Sequence, residues 1–273
     1  MIRKSLAIGK LILSYIEQNS AGARTVFFFH GNSNSARLWY KQLQDLRFQE
    51  YRIIAFDLPA HGQSSEADSD AIYNVKGMGK LMATAVNHIS QKDKYILVGL
   101  SLGSNIVAEM LAFNLCPAAL VLIGPSLVGA GITPEDVIKD SLTAEALFTD
   151  KAKTKSVKKY LAKASISKDE LDQKLLLEDY YLVKQPFRTS FSNSIAAGIY
   201  SDEVTLIRKK NLPLLIIWGE KDVTTLPNLL EKAGFTLWGN NFFKIKQAGH
   251  LVNLDKPQQF NELLENFLQD TFK

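Results

Sequence analysis

Ser101, Asp222 and His250 occur in that order along the chain, each just after an apolar run. A serine hydroxyl is a poor nucleophile at neutral pH and needs a general base within about 3 Å. An imidazole serving as that base needs its other N–H held, and a buried carboxylate does this while stabilising the imidazolium that forms. Three such groups brought together would attack a carbonyl carbon and pass an acyl group to water. Ser101 lies in Gly99-Leu100-Ser101-Leu102-Gly103, after Tyr95-Ile96-Leu97-Val98 and before Asn105-Ile106-Val107-Ala108-Glu109-Met110-Leu111. This reads as a strand turning sharply into a helix, a nucleophile elbow whose small flanking residues let the chain pass. The first N–H groups and positive dipole end of the helix face the serine's surroundings.

The other two members come with alternatives. Asp222 closes Leu214-Leu215-Ile216-Ile217-Trp218-Gly219-Glu220-Lys221-Asp222, a buried strand delivering a carboxylate at its end. Glu220 is its rival, because a small shift of register at the strand end would exchange the two. Asp222 also reads as a helix N-cap before Thr224 and Thr225. Asp57 ends another strand and more readily orders the loop from Leu58 to Ser64. His250, after Gln247-Ala248-Gly249, is the histidine placed at a late strand end. His30 reads as a brace for the loop after its strand, His61 as part of the Ala60-His61-Gly62 turn, and His88 as a residue of an amphipathic helix. Thr25-Val26-Phe27-Phe28-Phe29-His30-Gly31-Asn32 is a further strand ending in a polar turn, where a backbone N–H would complete an oxyanion site.

Taken together, these segments and Phe56-Asp57-Leu58-Pro59-Ala60-His61-Gly62-Gln63-Ser64 resemble the α/β-hydrolase superfamily, in particular its cap-bearing serine hydrolases, over nearly the whole chain. The resemblance implies a Ser101, Asp222, His250 triad and an oxyanion hole made by the backbone N–H groups of Leu102 and Asn32, with Ser33 as the alternative donor. The stretch His30-Gly31-Asn32 followed by Leu38-Trp39 is similar to that of haloalkane dehalogenases. Those enzymes and the related epoxide hydrolases use an aspartate in the elbow, so the serine here speaks for acyl transfer to water.

The elements that must position these groups alternate. Strand-like runs at 25–30, 52–57, 95–100 and 119–123 are separated by helical stretches from about Ala36, around 75–89 and from Asn105. This alternation implies right-handed crossovers and a mostly parallel central sheet covered by helices on both faces, with the site at the strands' carboxyl ends. After Gly124-Pro125-Ser126 the pattern changes to charged stretches of helical period for about 80 residues, read as a helical cap inserted after the sixth strand. The expected organisation is core over 1–125, cap over 126–205 and core again over 206–273. Tyr180, Tyr181, Phe187 and Phe191 of the cap, with Trp39 below, are candidates to roof an apolar substrate pocket; they read equally as the cap's own core.

Composition bounds the partners. The 273 residues are 46% hydrophobic, enough for one large α/β core. A net charge of +4 from 32 basic and 28 acidic residues gives no electrostatic case for nucleic acid. Six lysines without an acid lie between Lys151 and Lys163, but Val157, Tyr160, Leu161 and Ala164 recur there at helical spacing, so a solvated helix face is expected. The alternative for that segment is a docking surface for an anionic lipid or coenzyme tail. Met1 to Leu13 reads as a strand pair rather than a signal peptide, and no apolar run approaches a membrane span. The single cysteine, Cys116, excludes an internal disulfide, suits a reducing cytoplasmic setting, and reads as a small buried residue at a helix end. Four scattered histidines and one cysteine give no metal-ligand spacing, and no cofactor is expected.

The leading function is a cofactor-independent serine hydrolase of carboxylic esters, acting on a small molecule through an acyl-enzyme. Thioester hydrolysis and carbon–carbon cleavage of diketone-like acids use the same triad, the latter with a cationic group such as Arg188 to hold the acid. A ligand-binding or signalling protein with little turnover is the alternative from another class.

Overall fold

The computed structural model describes residues 1–90, 93–138 and 140–273. Eight strands form one sheet: β1 (Ile2–Ile8), β2 (Leu11–Gln18), β3 (Arg24–Phe29), β4 (Arg52–Phe56), β5 (Lys94–Leu100), β6 (Ala119–Ile123), β7 (Leu214–Gly219) and β8 (Phe243–Ile245), in the order β1-β2-β4-β3-β5-β6-β7-β8. The pairings of β1 with β2 and of β2 with β4 are antiparallel, and all others are parallel. The strand pair at the amino end is the expected one, and the body of the sheet is parallel, as expected.

The central strands are apolar on both faces because both are covered. In β3, Phe27 and Phe29 point into one core layer while Val26 and Phe28 point into the other, the period-two alternation of a strand. Helices α1 (Tyr40–Leu43), α2 (Val75–Ser90) and α3 (Leu102–Met110) follow β3, β4 and β5. The first layer packs on α2 through Met78, Met82 and Val86 and on α3 through Ile106 and Met110. The long helix starts within one residue of its expected boundaries, and His88 lies exposed on it. The elbow helix begins three residues earlier than the sequence pattern implies, directly after Ser101.

Between β6 and β7 run α4 (Pro134–Val137), α5 (Ser141–Leu147), α6 (Thr154–Ala164), α7 (Glu170–Leu182), α8 (Phe187–Ala196) and α9 (Glu203–Lys210), with no strand of the main sheet among the described residues of this stretch. This is the helical insertion expected after the sixth strand. It has a small core of its own, Ala146, Leu147, Val157, Tyr160, Ala164 and Tyr180. It is fastened to the sheet's loops by polar ties: Arg37 and Ser35 bind Asp179, Tyr40 and Lys41 bind Asp172, and Ser165 binds Asp255. The lysines of 151–163 are all exposed while Val157, Tyr160 and Ala164 are buried, as a solvated face requires. The chain closes through α10 (Val252–Asp255) and α11 (Pro257–Thr271), whose Phe260, Leu264 and Phe267 fill the second core layer.

One reading needs correction. Cys116 is exposed rather than buried, because Leu115 and Pro117 on either side take the inward positions and Cys116 contributes its backbone N–H to the Tyr95 hydroxyl at 3.0 Å. Among the described residues no helix is long and apolar enough to cross a membrane.

Candidate active site

Ser101 is the residue between β5 and α3. Its backbone has φ 52° and ψ −119°, outside the regions a side-chain-bearing residue adopts freely. The conformation is held by its N–H donating to Ile123 O at 2.9 Å and by the Ser104 hydroxyl donating to Ser101 O at 2.5 Å. The glycines of the motif have a packing reason. A Cβ on Gly99 would strike the Gly103 carbonyl, and one on Gly103 would strike the Phe29 carbonyl of the neighbouring strand. The elbow is therefore wedged against β3, and the serine is only 9% exposed.

Asp222 and His250 meet at the ends of the next strands. His250 Nδ1 lies 2.7 Å from Asp222 Oδ2, with both side chains buried. Gly124, directly after β6, makes room for the ring: at φ 48° it lacks a Cβ that would come within 2.8 Å of His250 Cε1 and Nδ1. The carboxylate does two jobs with different oxygens. Oδ1 caps the following turn by accepting from the N–H groups of Thr224 (2.8 Å) and Thr225 (3.2 Å), and Oδ2 takes the imidazole and the Thr225 hydroxyl. Burial alone would raise this carboxyl, but the attraction of the imidazole, its hydrogen bond and the two N–H groups outweigh it, so Asp222 titrates below the usual carboxylate range. Glu220, the rival, sits on the exposed side and accepts from Gln247 N at 3.1 Å.

The second ring nitrogen, His250 Nε2, is buried with no hydrogen-bond partner among the described residues. The structure thus joins Asp222 to His250 but draws no hydrogen bond from Ser101 to the ring. The link between them is the end of β6: Ser101 is tied to Ile123 O, and the next residue, Gly124, packs on the imidazole. Catalytic hydrogen bonds are commonly loose before substrate binds. The helical insertion packs over the pair: Leu251 N–H donates to Ala164 O at 3.0 Å, and Tyr160 is close enough that, after burial, the Asp222 charge is the next cause raising its phenol.

On the other side of Ser101, Asn32 projects from the loop after β3. Its side chain donates to Leu147 O of the helical insertion at 2.9 Å and accepts from the Ser33 hydroxyl at 2.9 Å. Leu102 opens α3, where the first N–H groups have no intrahelical acceptor. Ser33, the alternative donor, is engaged: its N–H donates to His61 Nε2 at 3.2 Å. His30 donates from Nδ1 to Gly31 O at 2.7 Å and accepts at Nε2 from Leu58 N–H at 3.0 Å, so it braces the loop; burial holds its pKa down to about 4. Asp57 anchors the same region by accepting from Ala36 N, Gln63 N and Arg3, which keeps it away from His250.

A cavity of about 60 Å³ opens at Ser101 and is lined also by Asn32 and Leu102. Its apolar wall includes Val75, Val128, Leu147, Phe148, Phe191 and Ile195, and its polar residues include Asn105, Ser126 and Glu203. Of the five aromatic candidates only Phe191 lines it. Trp39 is buried against Phe28 at 4.8 Å in the opposite core layer. Tyr180 is bound within the helical insertion, its hydroxyl donating to Ala146 O at 2.7 Å under the Arg188 guanidinium. Tyr181 is 55% exposed, and Phe187 is packed between His61 and Tyr73. Asn105 was within reach of sequence reasoning, since i and i+4 share a helix face; Glu203 carried no local signal.

A doubly covered, mostly parallel sheet with a strained serine at the turn into a helix, and an acid–imidazole pair at the ends of later strands, defines an α/β hydrolase. A model of the alpha/beta hydrolase family matches residues 26–263, and the chain belongs to that family of hydrolases. Among curated relatives, an uncharacterized hydrolase, YugF, of Bacillus subtilis (strain 168) is 25% identical over 269 residues, covering 93% of each chain. A 2-hydroxy-6-oxononadienedioate/2-hydroxy-6-oxononatrienedioate hydrolase of Pseudomonas putida is 28% identical over 264 residues, covering 91% of this chain and 88% of that one. Among solved structures, a point mutant of the N-acyl homoserine lactonase AidH complexed with N-hexanoyl homoserine lactone superposes with a TM-score of 0.89 at 22% identity, over 99% of this chain and 98% of that one. A thermophilic esterase from Thermogutta terrifontis gives 0.77 at 18% identity over all of both chains.

Proposed function

We propose that this hydrolase cleaves carboxylic esters through an acyl-enzyme on Ser101, with His250 as base and Asp222 as its partner. The observation that carries the reading is the buried Asp222–His250 pair, its Nε2 without a hydrogen-bond partner among the described residues, one strand end from an elbow serine. In this mechanism Nε2 takes the hydroxyl proton as Oγ attacks the acyl carbon. The N–H groups of Leu102 and Asn32 receive the developing oxyanion, each worth roughly 3 kcal/mol of barrier. Nε2–H then protonates the departing alkoxide. Water, deprotonated at Nε2, attacks the acyl-enzyme, and Ser101 leaves with the proton returned. Residues 126–205 act as the cap that selects the substrate, a small molecule.

The relatives named 2-hydroxy-6-oxononadienedioate/2-hydroxy-6-oxononatrienedioate hydrolases favour testing a second reading, carbon–carbon cleavage of a diketone-like acid, with Arg188 as the group that would hold the acid. Here Arg188 is committed elsewhere, donating to Ser33 Oγ at 3.0 Å and to Tyr180 O at 2.5 Å, and it does not line the cavity. A panel of p-nitrophenyl esters, acyl thioesters and vinylogous diketones decides. Ester turnover that disappears in Ser101→Ala supports the proposal; turnover confined to the diketones, or esters cleaved unchanged by Ser101→Ala, contradicts it.

A further inference from the structure

The polar end of the cavity is built around a carboxyl group that the triad does not use. Asn105 lies one turn after Ser101 on α3, about 6 Å further along the helix axis. Its Nδ2 donates to Ser126 O at 2.9 Å and to Glu203 Oε2 at 2.7 Å, and its Oδ1 accepts from the Ser126 hydroxyl at 2.6 Å. Glu203 Oε2 accepts a second hydrogen bond from Val128 N–H at 3.0 Å. Only Oε1 lacks a partner among the described residues, on a fully buried side chain that lines the same cavity as Ser101. A buried polar oxygen left without a partner is costly, and a ligand group is one means of satisfying it.

The surroundings define the kind of group. Glu109 of α3, bound to Ser201, and Asp202 at the start of α9 are the charged groups acting on Glu203. Burial first, and then these two acids, outweigh the Val128 and Asn105 hydrogen bonds and push its carboxyl up to about 8. Glu203 is then a neutral acid at neutral pH. With Oε2 receiving two N–H donors, the proton resides on Oε1, which presents a donor. A substrate carboxylate would be repelled by Glu109 and Asp202, whereas a neutral oxygen would not. The cavity includes Ser101, Asn32 and Leu102 but not His250, and the leaving group must reach Nε2–H, so the cavity side receives the acyl chain.

We propose that Glu203 is the acyl-specificity residue of this enzyme, its Oε1–H donating to a neutral ketone or hydroxyl oxygen carried on the acyl chain a few carbons from the scissile carbonyl. The proposal rests on Ser101 being the nucleophile. It is tested with p-nitrophenyl levulinate, which carries such a ketone, against p-nitrophenyl pentanoate, which does not. The readout is the ratio of kcat/KM for the two esters within each enzyme, so the leaving group and the triad's own titration cancel. Wild type is expected to favour levulinate by about tenfold. Glu203→Gln, whose amide supplies a donor in place of the O–H, keeps the preference, and Glu203→Leu reduces it to within about twofold. In wild type the ratio falls as pH rises through about 8, while in Glu203→Gln it stays flat.

Equal use of both esters by wild type, or a preference that survives in a folded Glu203→Leu, overturns the assignment. If Glu203→Leu does not fold, the pH dependence of the wild-type ratio against Glu203→Gln decides, and identical profiles overturn it. Ser101→Ala separates the two claims. Loss of turnover there with equal wild-type rates removes Glu203 alone, turnover unchanged there removes the serine reading, and no wild-type turnover of either ester removes both.

Discussion

His250 and the His30–His61 pair are buried alike and differ in what their nitrogens touch. In the upstream pair every ring nitrogen is engaged: His30 with Gly31 O and Leu58 N, His61 with Pro59 O and Ser33 N. His250 has Asp222 on one nitrogen and, among the described residues, no partner on the other. A fully partnered imidazole is a neutral peg that holds two loops at a fixed distance. A half-partnered one, backed by a carboxylate, is equipped to take and return a proton. Under the proposed mechanism, burial does not separate structural from chemical histidines; the count of satisfied nitrogens does.

The comparison breaks if the wrong ring matters for turnover. Ser101→Ala and His250→Ala should each lower kcat/KM for a reactive ester by about 10⁵-fold with the melting temperature little changed. Asp222→Asn keeps the turn cap on one side but mispairs the imidazole, and a loss of about 10⁴-fold in kcat is expected. His30→Ala should instead cost about 2 kcal/mol of stability, read as a lower urea midpoint, while the folded fraction keeps far more of its kcat than the His250 variant does. A His30 variant as inactive as the His250 variant, with unchanged stability, would reverse the assignment.

Acidity sharpens it further. His30 binds a proton near 6.5 when unfolded and near 4 when folded, so the unfolded chain holds more protons between those values. Its contribution is complete above about 6.5 and is lost as pH falls toward 4, up to about 3 kcal/mol. Glu203 has the opposite sign. Its folded carboxyl, near 8 against 4.5, holds the extra proton in the native state, so stability falls as pH rises between those values. Urea midpoints measured across pH should show the acid-side loss reduced in the His30 variant and the alkaline-side loss reduced in Glu203→Gln. The smallest effect expected is that of Glu220→Gln, under about twofold on kcat/KM, since Glu220 faces Gln247 rather than the imidazole.

The sheet and its rim were legible because local pattern and global position agree there. The runs before Asn32, Ser101 and Asp222 are apolar on both faces, as buried parallel strands must be, and each ends where the site lies. The sequence favours Asp222 but cannot separate it sharply from Glu220, two residues away at a strand end, because a small shift of register would exchange them; the structure places Asp222 against His250 and Glu220 against Gln247. The aromatic roof was misplaced for a related reason. Tyr180 and Phe187 have the composition of a pocket wall, but the insertion needs a core of its own and a seat on the sheet's loops, and they serve those needs. Glu203 stood in a charged helical start, where a carboxylate at the first turn is ordinarily a dipole partner; only the tertiary approach of Asn105 and Val128 turns it inward.

The most direct test of the proposed triad is covalent. A fluorophosphonate reacts with a serine only when that serine is accessible and activated by its base, and the adduct is located by peptide mass spectrometry. The account predicts one adduct, on the peptide carrying Ser101, absent in Ser101→Ala and strongly slowed in His250→Ala. No adduct on a folded wild-type protein, or labelling that proceeds at the same rate without His250, would contradict it.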